Sequence, residues 1–229
     1  MLSIDITFRT ETSVPYNYQY ELYSAIQSKM KTVSPETTQR VHSSRGIPLF
    51  NSSALLLLGF TGPAQWVNAR TFMFMINTIY QEVADVIGKA LQPGTSLRLN
   101  SCVLNVLSIK TREVDFKFVP VLPQLKSRGP IVIKEKEKYY MVGEREFEVH
   151  LLSVLKRKAD AVTGRNTVAR GLTVTTSHPK VYIVSGHKVP ASILSFILDA
   201  DEDVIRTALV YGVGAKTQMG FGMVAVGEQ

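Results

Sequence analysis

The chain has 229 residues, 45% hydrophobic and 20% charged, enough to bury a core in one large domain or two small ones. Its formal net charge of +7 and a pI near 9.5 favour a polyanionic partner without dictating one. The single cysteine, Cys102, excludes an intrachain disulfide framework and a zinc site built from several cysteines.

The first residues alternate apolar and polar at Leu2, Ile4, Ile6 and Phe8, which predicts a half-buried strand and carries no signal-peptide pattern. No apolar run approaches a membrane span, so a soluble cytoplasmic protein without membrane association is expected. Pro15 and a tyrosine cluster open a helix with Leu22, Ala25, Ile26 and Met30 on one face, which Pro35 ends. A polar segment, 34–51, follows with Arg40, His42, Arg45 and Gly46. Strands are expected at 54–60 and 71–76 around a Thr61-Gly62-Pro63 turn, a helix at 77–91 with Ile79 facing inward, and a long strand at 97–109. The first half thus spells β-α-β-β-α-β, the ferredoxin-like order.

The second half repeats that order. A strand at 114–121 and a ribbon at 131–133 and 139–142 precede a helix at 144–161 with Phe147, Leu151, Val154 and Leu155 on its apolar face. Strands at 172–185 and 191–198, a short helix at 201–211 and a closing strand at 223–226 complete it. The expectation is an α+β fold of two tandem ferredoxin-like (RAMP/RRM-like) halves, 1–112 and 113–229, the second carrying a C-terminal glycine-rich loop. No sequence identity links the halves, so the repeat is architectural.

That loop holds Gly212, Gly214, Gly220 and Gly222 around Lys216 and Phe221. Ala215 separates Gly214 from Lys216, which breaks a P-loop, and Thr217 stands where a dinucleotide fingerprint needs glycine. Glycine content alone reads as a flexible connection, whereas successive N–H groups could also converge on an anion. The preceding helix end disfavours an anion, so phosphate binding would lean on Lys216 and the loop amides. Phe221 is expected to anchor the loop in the core.

The glycine loop, Pro15 with Tyr16, Tyr18 and Tyr20, and the segment 41–53 containing His42, Gly46 and Phe50 together resemble the RAMP superfamily. Within it, the chain is similar to the CRISPR repeat-processing endoribonucleases, over essentially its whole length. The resemblance implies metal-independent cleavage of CRISPR precursor RNA within its repeats, with no cofactor and no metal, and RNA bound between and across the two halves. Self-association into a homodimer and delivery of the product to a CRISPR effector complex are both compatible with it.

RNA supplies its own nucleophile: a 2′-OH held in line with phosphorus displaces the 5′-oxygen, giving a 2′,3′-cyclic phosphate and a 5′-OH. Such a step needs a base or acid near neutral pKa, a cation and correct geometry. His42 suits the first requirement, as base toward the 2′-OH or acid toward the leaving oxygen. Arg40 and Arg45 beside it in sequence would favour the uncharged, base-competent ring. A lone loop histidine is otherwise an incidental surface residue.

Some family members pair the histidine with a tyrosine and a lysine, and Gln27 and Pro48 stand in those places here. Tyr20 or Tyr23 is an alternative hydroxyl donor, or a packing residue of the first helix; Arg45 or Lys31 could supply charge. Candidate catalytic residues are therefore His42, Tyr23 and Arg45. Candidate RNA contacts are Gly212, Gly214, Lys216, Gly220 and Gly222, with Lys126 and Arg128 in a second basic, flexible segment. Lys156, Arg157 and Lys158 read as dipole complementarity at a helix end, and Arg165 and Arg170 as unassigned cations. Two further readings stand beside the nuclease: a non-catalytic RNA-binding RAMP subunit of a CRISPR effector complex, and an unrelated ferredoxin-like fold that binds a small anion.

Overall fold

The structure, a computed structural model, describes residues 1–44, 46–58, 70–115 and 122–227. The N-terminal half runs β1 (Leu2–Arg9), α1 (Gln19–Val33), α2 (Pro35–Ser43), β2 (Asn51–Ser52), β3 (Leu56–Leu57), β4 (Thr71–Thr78), α3 (Gln81–Ala90), β5 (Ser96–Arg98) and β6 (Val103–Glu113). The C-terminal half runs β7 (Gln124–Ser127), β8 (Ile133–Glu135), β9 (Lys138–Tyr140), α4 (Phe147–Thr163), β10 (Ala169–Val184), β11 (His187–Ala200), α5 (Glu202–Tyr211) and β12 (Val224–Val226). A 3-10 turn at Thr217–Met219 lies before β12.

The first sheet is ordered β2-β4-β1-β6-β5, with β3 also on β4; the second is ordered β10-β11-β7-β12. In both, the first strand lies between the third and fourth of a βαββαβ unit, which is the ferredoxin-like arrangement expected from the element order. Ile4, Ile6 and Phe8 of β1 face the N-terminal core, against Leu22, Ile26 and Met30 of α1 and Val83 and Ile87 of α3. In the second half Phe147, Leu151, Leu155 and Ala159 form a stripe on α4 that covers Leu194, Phe196 and Leu198 of β11.

The first helix ends before Pro35 as expected, but a second helix starts there. The Ser34 backbone N–H donates to Met30 to close α1, while its hydroxyl accepts from Thr37 N–H at 3.3 Å. Pro35 occupies the first turn of α2, where its missing N–H costs nothing. His42 therefore rides on a helix that was expected to be a polar loop. At the start of α3 the expectation ran too long: Asn77 and Thr78 remain in β4, and Ile79 is exposed instead of facing inward.

The expected strand 97–109 is a hairpin, β5 and β6. Its turn is held by the Glu21 carboxylate, which accepts from Asn100 N–H at 2.9 Å and from its side-chain amide at 2.6 Å. Lys126 belongs to β7, an inner strand of the second sheet, and not to a flexible segment; four residues with Leu125 turned inward leave too short an alternation to read. The Thr61-Gly62-Pro63 turn and most of the expected strand 114–121 lie outside the described residues.

A third apolar cluster lies in the C-terminal half and meets the N-terminal half through Tyr16. Phe221 is fully buried and meets Tyr182 edge-on at 5.5 Å; Tyr182 stacks on Tyr16 at 5.0 Å. Phe221 anchors the loop as expected. A Cβ on Gly222, whose φ is +73°, would lie 2.0 Å from the Val213 carbonyl oxygen. Gly222→Ala should lower the unfolding free energy in urea by at least about 2 kcal/mol. Gly88→Ala, in the α3 helix with open space at its Cβ, should raise it by about 0.5–1 kcal/mol.

Candidate functional site

The glycine loop is a buried seam. Gly212, Gly214, Gly220 and Gly222 all have φ between +73° and +81° and are buried. A Cβ at Gly214 would stand 2.2 Å from the Val132 carbonyl oxygen, and one at Gly212 2.9 Å from that of Gly222. Only glycine lets these backbones meet.

The loop amides are engaged within the protein. Gly212 N–H donates to Ala208, Val213 to Gly222, Ala215 to Val132 and Gly222 to Pro130, all at 2.7–3.0 Å. Gly220 N–H donates to the Ser52 hydroxyl at 2.9 Å. The amides of Gly212, Gly220 and Gly222 are thus already bonded inside the protein, as burial between two halves obliges the backbone to find internal partners.

The partner of the loop is the segment Asn51, Ser52 and Ser53, all fully buried. The Asn51 side-chain amide donates to Val210 O at 2.9 Å, capping the end of α5, and the Ser52 hydroxyl donates to Gln218 O at 3.0 Å. Ala54 N–H donates to Arg128 O, and Arg128 N–H to Met223 O, so one chain of bonds crosses both halves. From the loop, the Gln218 amide reaches back at 3.5 Å to Val41 O and the Ser44 hydroxyl at the end of α2.

His42 sits in that last turn of α2, exposed, beside the fully buried Val41 that pins the helix. Arg40 does not face it as a free cation, because Arg40 pairs with Glu82 at 2.5 Å. Arg45 lies outside the described residues. Tyr23 is buried in the N-terminal core, and burial, then the neighbouring Tyr20, raises its pKa, which fits the packing role expected as an alternative to the catalytic one. Tyr18 is likewise internal, its hydroxyl accepting from Leu55 N–H at 2.7 Å.

Between the end of α2 and the loop lies a cavity of about 190 Å³, lined by Ser44, Pro48, Lys158, Lys216, Thr217 and Gln218 among others. Lys216 adopts a left-handed backbone, φ +60°, and burial, then the nearby Lys134 charge, lowers its pKa. Lys158 of α4 donates to Gly212 O at 2.9 Å, Gly214 O at 3.1 Å and Tyr211 O at 3.5 Å. The Lys158 side chain keeps partial exposure, yet burial of its ammonium lowers its pKa to about 8.

Lys126 and Arg128 are exposed but elsewhere. Arg128 and Arg112 line a second cavity, of about 250 Å³, between the halves. Arg170 is paired with Asp199 and Asp201, and Arg165 with Asp203, so these cations are engaged at the start of α5.

Residues 13–110 match the family described as CRISPR-associated protein Cas6, N-terminal, and residues 115–226 match CRISPR associated protein Cas6, C-terminal. The chain belongs to the Cas6 family. It is 26% identical to CRISPR-associated endoribonuclease Cas6 1 of Methanocaldococcus jannaschii, over 97% of this chain and 92% of that protein. Similarity to CRISPR-associated endoribonuclease Cas6 of Pyrococcus furiosus is 25% identity over 93% and 83% of the two chains. A solved structure described as an RAMP protein binding different RNA substrates has the same fold, with a TM-score of 0.84 at 21% identity over 100% of both chains.

Within this Cas6-family chain, sequence reasoning missed Lys158, Asn51, Ser52 and Gln218. Lys158 did carry a signal, since it lies one turn beyond Leu155 and within the apolar stripe of α4. Ser52 and Gln218 carried none, because only folding brings residues so distant in sequence together. The depressed pKa has a consequence for stability. Between about pH 8 and the ordinary lysine value of 10.5 the unfolded chain holds a proton on Lys158 that the folded chain lacks. The stability of the wild type relative to Lys158→Met should therefore rise with pH across that window, read from urea midpoints; a flat difference would contradict the desolvated ammonium.

Proposed function

We propose that this chain is an endoribonuclease that cuts CRISPR precursor RNA within its repeats, without metal, by attack of the ribose 2′-OH on the adjacent phosphorus. The observation that carries the reading is the junction between α2 and the glycine loop: an exposed imidazole in the last turn of a helix whose end is tied through Gln218 to a cavity holding Lys216 and Lys158. Base or acid, cation and positioning are the three aids this chemistry needs. Family membership and the named activity of the two curated relatives support it.

In this reading His42 moves a proton at the 2′-oxygen or at the leaving 5′-oxygen, and Lys216 holds the phosphate. Pro48, standing where some relatives carry a lysine, lines the same cavity as Lys216, so a cation from the other half serves that place. The products are a 2′,3′-cyclic phosphate and a 5′-OH. Lys126 and Arg128, exposed on another part of the C-terminal half, extend the phosphate track.

The burial of Tyr23 and the presence of Gln27 and Pro48 favour a second reading, an RNA-binding RAMP subunit without cleavage. Cognate repeat RNA incubated with the protein in EDTA separates the two. The expected result is scission at one phosphodiester, lost by at least about a hundredfold in His42→Ala with binding retained. Binding without scission by the wild type would instead support the subunit. Lys216→Ala should weaken RNA binding and make its salt dependence shallower by close to one phosphate contact; an unchanged slope would remove Lys216 from the RNA surface.

A further inference from the structure

We propose that Lys158 makes the glycine-loop cavity an anion site: it holds the loop in place and reverses the electrostatic sign the end of α5 would give it, so that a backbone phosphate of the bound RNA sits there. This role rests on the RNA-processing reading above.

A helix ends in carbonyls that together carry about half a negative charge, which repels phosphate. The glycine loop begins at that end of α5, and its close-packed backbone adds further carbonyls. The Lys158 ammonium meets them directly, with Gly212 O at 2.9 Å and Gly214 O at 3.1 Å. It arrives from α4, whose Phe147, Leu151 and Leu155 are fixed in the C-terminal core. With its donors directed at loop carbonyls, Lys158 supplies positive field to the cavity, while Lys216 is the side chain available for contact.

No carboxylate lines the cavity among the described residues. Lys216 lines the same cavity as Lys158, Lys134 of β8 lies near Lys216, and on α4 Lys156 and Asp160 pair with each other at 2.6 Å; on the packed α5, Glu202 pairs with Arg206 and Asp203 with Arg165. Tyr211, whose carbonyl Lys158 also takes, has its phenol pushed up to about 12 and is neutral. In such partly desolvated surroundings a fixed charge acts more strongly than in water. Burial that lowers the Lys158 pKa to about 8 places loss of that charge within an accessible pH range.

The test uses full-length protein, the His42→Ala background and labelled cognate repeat RNA, with affinity measured against salt and from about pH 7 to about pH 9. Lys158→Met is expected to bind roughly tenfold more weakly with a salt slope shallower by close to one contact, and Lys158→Arg to keep both. The wild-type lysine should lose affinity as pH rises through about 8, while Lys158→Arg, always charged, stays flat.

Lys158→Met with the parent affinity overturns the role, as does weaker binding with an unchanged slope, which would make Lys158 a packing residue only. If Lys158→Met does not fold, the pH comparison decides: coincident profiles for lysine and arginine overturn it. Protein that binds no repeat RNA with Lys158 intact overturns the RNA reading together with this role, whereas a normal Lys158→Met strikes this role alone.

Discussion

A loop buried between two half-domains must satisfy its backbone inside the protein, and the rest of this molecule is arranged around that requirement. The glycines permit the approach, since a side chain at Gly214 or Gly222 would collide with a carbonyl oxygen at 2.2 or 2.0 Å. Ser52 then bonds both the Gln218 carbonyl and the Gly220 amide, and Asn51 caps the end of α5. These bonds join residues more than 150 positions apart, so they act only once both halves are folded and docked. The apolar contribution of Phe221 against Tyr182 follows the same seam.

What remains for a ligand is the side-chain chemistry the seam brings together. The end of α2 is carried to the loop by Gln218, and the cavity between them is lined by Lys158 and Lys216. Lys158 has two opposed effects. Its ammonium satisfies loop carbonyls and charges the cavity, yet desolvation makes that charge costly to the folded state. A site that draws on a partly buried charge exchanges stability for electrostatic strength, which is a common compromise at functional positions.

The two sheets show how far local pattern carries. The alternation of β1 and the stripe of α4 were plain because burial on one face repeats with the period of the element. The start of α2 was hidden because proline is both a helix stop and a favoured first-turn residue, and the capping bond from Ser34 decides between them. The β5–β6 turn was hidden because Glu21, on a separate helix, supplies the bonds that hold it.

Sequence by itself determined the two-half ferredoxin-like plan and the exposed histidine, since each follows from hydrophobic period or local polarity. It also carried the glycine loop that marks the family. Tertiary structure alone decided that the loop amides turn inward, that Tyr23 is enclosed, and that Lys158 meets the end of α5. Those outcomes depend on which distant backbone needs a hydrogen-bond partner, and that need exists only when the two halves exclude water from the seam.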